Sequence, residues 1–149
     1  MEIKEQMNIC KKEKWFDVHF IIEALSISED VVKSALEKHV DKLSHMRDIL
    51  VYDKKFSEIK SVENPLKGVE TGYSYFVNVK LFAKTLSVLL NSVLMYGPSS
   101  IEVMGPDKKE ISISESQDIC NVLAGIVHQF AAAGIGGIVI TPDEKKQLR

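Results

Sequence analysis

The chain has 149 residues, 45% of them hydrophobic and 27% charged, with a formal net charge of −2 at pH 7. Such a composition belongs to a protein that buries a core, in one domain or two small ones, and not to a disordered chain. With Arg47 and Arg149 as its arginines, the chain lacks the positive field that nonspecific phosphate binding requires, so nucleic acid is not an expected partner.

No apolar run approaches the roughly 20 residues of a membrane span. The opening residues also lack the charged, apolar and small-residue regions of a secretory leader, so a cytoplasmic protein without a membrane partner is expected. Cys10 and Cys120 lie in different parts of the chain and suggest free thiols, not a disulfide framework.

Trp15, Val18, Ile21, Ile22 and Leu25 fit a helix. Ser26-Ile27-Ser28 supplies a turn, and Val31, Val32, Ala35, Leu36, Val40 and Leu43 fit a second helix. Two short helices at a tight turn resemble a helix-turn-helix. The second helix starts Ser28-Glu29-Asp30 and carries Glu37, carboxylates that suit the positive end of a helix and repel DNA. Ile49-Leu50-Val51-Tyr52 predicts a strand, Phe56 to Val62 an extended segment, and Asn64-Pro65-Leu66-Lys67-Gly68 a loop. The domain boundary is drawn in that loop: 1–68 is a helical N-terminal segment with one or two strands, and 69–149 a second domain with a charged C-terminal tail.

In the second domain Tyr75, Val77, Val79 and Leu81 alternate with Phe76, Asn78 and Lys80, which predicts a strand with one buried face. Phe82, Leu86, Leu89, Leu90, Val93 and Leu94 make a helical stripe that Gly97 and Pro98 end. Ile101 and Val103, the turn Gly105-Pro106-Asp107-Lys108, then Ile111 and Ile113 predict a hairpin. Ser114 with Gln117 is a capping-box signature for a helix whose stripe is Ile119, Val122, Leu123, Ile126, Val127 and Phe130. Ile138-Val139-Ile140 predicts a last strand before Pro142. The order βαββαβ from about Tyr73 to Thr141 predicts an α+β, split βαβ (ferredoxin-like) sandwich, with two helices on one face of a four-stranded antiparallel sheet.

In plan, a helical N-terminal half joined to such a domain is similar to the feast/famine (leucine-responsive) regulators, whose second domain oligomerises and binds small effectors. Their basic recognition helix has no counterpart here, and no effector-site motif carries over.

The chemistries this fold hosts each demand residues that are missing. Base stacking needs aromatics on the two central strands, and the third strand offers Glu110, Ser112 and Ser114. Metal transfer needs a close cysteine pair in the loop after the first strand, where Leu81-Phe82-Ala83 stands, and an oxyanion cradle there needs an arginine. Gly134-Ile135-Gly136-Gly137 leaves a helix, whereas phosphate loops enter one. His19, His39 and His45 with Asp41 lack zinc-ligand spacing. Cys120 and His128, eight residues apart on one helix, lie about 12 Å apart along its axis and cannot form a nucleophile pair.

The expected function is therefore a noncatalytic binding or assembly module, without cofactor or metal. It self-associates, as a homodimer or higher oligomer, through the open sheet face or an edge strand. On that face Phe76, Met104 and Val139 are the expected interface residues, being apolar among Asn78, Lys80, Glu102 and Ser112. A cleft between the two halves is the expected place for a small ligand. The second expectation is a transcription regulator using the N-terminal helices, and the third an enzyme with a site at the junction of the halves.

Overall fold

The computed structural model describes residues 1–134 and contains, in chain order, α1 (Ile3–Lys12), β1 (Phe16–Ser26), α2 (Glu29–Ser44), β2 (Ile49–Phe56), β3 (Lys60–Leu66), β4 (Val69–Ala83), α3 (Leu86–Tyr96), β5 (Ser100–Gly105) and α4 (Ile113–Ala132). They fall into two units, Met1–Ile111 and Ser112–Arg149.

The first unit is built on β4. Its 15 residues are long enough to serve several partners. Along one edge β1 pairs antiparallel from Tyr73 to Ala83. Along the other, β2 takes Val77 to Ala83 and β3 takes Val69 to Ser74. β5 pairs antiparallel with the far edge of β1, so the path across the sheet is β2-β4-β1-β5 with β3 also on β4.

Alternation sends Val18, Phe20 and Ile22 of β1 and Tyr75, Val77, Val79 and Leu81 of β4 to one face, where they are buried. On that face α2 lays Val32, Leu36, Val40 and Leu43, whose spacings of three and four make one stripe. α3 adds Leu89, with Leu86, Val88 and Val93 packed around it. Each such side chain contributes about 1.5–3 kcal/mol of burial energy, which is why this face and not the other carries the core. The helix ends are set locally. Ser28 and Thr85 accept from the backbone N–H of Val31 and Val88, and Gly97 ends α3 in the left-handed region at φ 56°, which favours glycine.

Several sequence expectations are corrected. The segment read as a first helix is β1, so the chain has no helix-turn-helix pair there: α1 and α2 are separated by an 11-residue strand. The stretch Phe16, Val18, Phe20, Ile22, Ala24 alternates with period two and is rich in aromatic and branched residues, which outweighs the helical spacing of Trp15, Val18, Ile21, Ile22 and Leu25. The segment Asn64–Gly68, expected as a loop, runs from the end of β3 into the turn to β4, and these two strands pair directly. Phe82 belongs to β4, not to the following helix.

The returning strand at Ile111 and Ile113 is not formed. Ser112 accepts a hydrogen bond from the backbone N–H of Glu115 at 3.0 Å, so the cap of α4 lies two residues before the expected one at Ser114. The second unit's α4 is the expected amphipathic helix, but it buries none of its side chains. The last strand, with Val139, lies outside the described residues. Among the described residues, four helices and an antiparallel sheet of five strands make an α+β protein, as expected.

Candidate functional site

Two features of the first unit gather polar chemistry. On the sheet face away from α2 and α3, strand pairing lines up a row across four strands. Asp53 of β2 pairs with Lys80 of β4, Lys80 with His19 of β1, and His19 with Glu102 of β5. Paired residues in adjacent strands share a face, so the row sets Lys80 and His19 side by side between two carboxylates. Lys80 Nζ lies 4.0 Å from Asp53 Oδ2, and both side chains are about half exposed, so the pair adds little stability.

Beside the row, the Tyr52 hydroxyl donates to Asp17 Oδ1 at 2.7 Å and lies 3.4 Å from His19 Nε2. Burial, then the Asp17 hydrogen bond, then the charges of Asp17 and Asp53, push the Tyr52 phenol well above the ordinary tyrosine range. Tyr52 is thus held neutral. Its ring packs on Phe82, with centroids 5.0 Å apart, and Phe82 is only 1% exposed. The group orients a hydroxyl but presents no activated nucleophile, and among the described residues no cluster of three or more His, Cys, Asp or Glu could hold a metal ion.

The second feature is a cleft of about 230 Å³ where α2, β1 and the end of α3 meet. Ile22, Ala24, Ala35, Leu36, His39 and Tyr96 are among its lining residues. His39 Nε2 lies 2.9 Å from the carbonyl oxygen of Tyr96, and the two rings meet edge to face at 5.0 Å. Small side chains at 24 and 35 leave the space that larger ones would fill. The cleft draws β1 and α2 from one side of Gly68 and α3 from the other.

The structure separates most residues that the sequence offered as a group. His19 is on the sheet, His39 is bonded to the end of α3, and exposed His45 is 2.7 Å, through Nδ1, from the Asp41 carbonyl oxygen. Phe76 shares a sheet face with Asn78, Lys80 and Glu102, and Met104 follows on β5. Phe76 pairs with Glu23, whereas Met104 sits in the bulge opposite Asp17 and Val18. At about 3.3 Å per residue they are roughly 17–20 Å apart along β1, with the polar row between them. The row and the His39 cleft escaped sequence reading because both depend on β1 being a strand. The signal was there in the period-two pattern from Phe16 to Ala24.

An antiparallel α+β unit with a helix-roofed face defines the class of the protein. The chain belongs to the MJ0538 family, whose family model matches residues 17–134, from β1 through α4. Comparison with curated proteins and with solved structures finds no match. No helix among the described residues is long and apolar enough to cross a membrane.

Proposed function

We propose that this chain is a noncatalytic binding module that self-associates through the β5 edge and takes a small ligand in the cleft between α2 and α3. The observation that carries the self-association is the contrast between the two edges of the sheet. The β2–β3 edge is guarded by Asp53, Lys54, Lys55, Lys60 and Glu63. Charges of this kind keep an edge strand from pairing with another chain. The β5 edge carries Glu102 as its one charge, beside exposed Ile101, Val103 and Met104, and among the described residues β5 has β1 as its one strand partner. Antiparallel pairing of two copies about Val103 sets Glu102 against Met104 and not against its own copy, and such two-fold contacts are the commonest way soluble chains assemble. Of the expected interface residues, Met104 belongs to this edge and Phe76 to the adjoining open face.

The same reading treats β1, α2, β2, β4, α3 and β5 as the split βαβ (ferredoxin-like) unit, one frame earlier in the chain than expected. Their βαββαβ succession and the path β2-β4-β1-β5 support it. A cytoplasmic setting fits the two free thiols. A DNA-binding role loses its support with the helix pair.

Light scattering on the purified chain tests the assembly. A dimer that Val103→Lys converts to a folded monomer is expected, since the substitution sets two ammonium groups against each other. A monomeric wild type, or a dimer indifferent to Val103→Lys, overturns it.

A further inference from the structure

We propose that the cleft between α2 and α3 selects a small, flat, mainly apolar molecule carrying one hydrogen-bond donor, such as a phenol or an N–H heteroaromatic. The selection deepens the ligand-binding part of the proposed function and is independent of self-association at β5.

Size comes first. An apolar cavity of roughly 150 Å³ holds a benzene ring. The cleft measures about 230 Å³, room for a substituted ring or a fused pair. Four of its lining residues are apolar, Ile22 and Leu36 being 3% and 2% exposed and Ala24 and Ala35 presenting only methyl groups, and Glu23 also borders it.

Polarity comes from His39. A carbonyl oxygen only accepts, so the 2.9 Å contact with the Tyr96 carbonyl puts the ring proton on Nε2. In the neutral ring Nδ1 is then an acceptor, and no partner for it is present among the described residues. The Tyr96 ring, packed edge to face at 5.0 Å, holds the imidazole plane in place. An acceptor without a protein partner, on a residue that lines the cleft, favours a ligand that brings a donor over one that leaves it unpaired. Anions are disfavoured as well, because the cleft lies at the C-terminal, partially negative end of α3.

The test is an amide NMR titration of the whole chain with indole, phenol, toluene and benzoate. Indole and phenol are expected to shift saturably the signals of Ile22, Leu36, His39 and Tyr96, with toluene and benzoate weaker by roughly tenfold or more. His39→Phe should bring indole down to the level of toluene, and Ala35→Leu, which fills the space, should abolish both. If toluene binds as tightly as indole, or benzoate more tightly, the donor selection fails while the cleft remains a binding site. If no probe gives saturable shifts, both fail. The comparison of indole with toluene needs no variant, so it stands whether or not His39→Phe folds.

Discussion

The Tyr52 hydroxyl donates to Asp17 at 2.7 Å, tying the middle of β2 to the start of β1 across the intervening β4. The bond joins two strands that do not pair with each other. Tyr52→Phe keeps the ring on Phe82 and removes the bond. It should cost about 1 kcal/mol in urea denaturation, the usual scale for one such hydrogen bond.

The same bond makes a pH prediction. Burial first, and the neighbouring Asp17 next, raise the Tyr52 phenol, so folding favours its protonated form. That contribution is complete below the unfolded tyrosine value of about 10 and is lost as pH rises through and beyond it. The stability difference between wild type and Tyr52→Phe should stay constant between about pH 7 and 9 and shrink above about 10. A difference that grows with alkalinity contradicts the assignment.

Thr85 caps α3 through the backbone N–H of Val88 at 3.2 Å. Thr85→Ala should lower stability by about 1 kcal/mol, and Thr85→Ser should retain most of it. Equal losses in thermal unfolding of the two variants would show that the hydroxyl is not the working group.

Leu43, on α2, is fully buried, whereas Leu123 on α4 is 46% exposed. Leu43→Ala should cost about 2–5 kcal/mol. Leu123→Ala should stay within about 0.5 kcal/mol in the dilute chain. A large loss at Leu123 would mean that α4 shares a core the first unit does not need.

The two thiols should separate by reactivity. Cys10 is buried, and burial followed by the charge of Glu13 raises its thiol, while Cys120 is exposed. Ellman's reagent at neutral pH should titrate one thiol promptly and the second only in denaturant, because the thiolate is the reacting form. Cys120→Ser should remove the prompt phase.

How far the sequence was legible depended on whether one periodicity or two ran through a segment. In Tyr75–Leu81 the alternation stands alone, and β4 is a strand with that face buried. α2 and α3 also match their stripes, with α3 starting at Leu86 because Phe82 and Ala83 complete β4. β1 carries apolar residues on both faces, Ile21 among them, and this doubling created a false helical stripe. At α4 two overlapping capping signatures compete, Ser112 with Glu115 and Ser114 with Gln117, and the earlier wins. That shift removes the returning strand and with it the expected frame. The cleft beside His39 could not be read from its residues. Its walls come from β1 and from the C-terminal end of α3, and local spacing says nothing of their meeting.

Because β4 runs between β1 and β2 while also carrying β3, it is the shared spine of three strands that precede it in the chain. Severing the polypeptide at Gly68 would strand β1 and β2 without the ribbon that joins them. Fragments 1–68 and 69–149 should therefore be unfolded when made separately, and should regain ordered structure only when mixed.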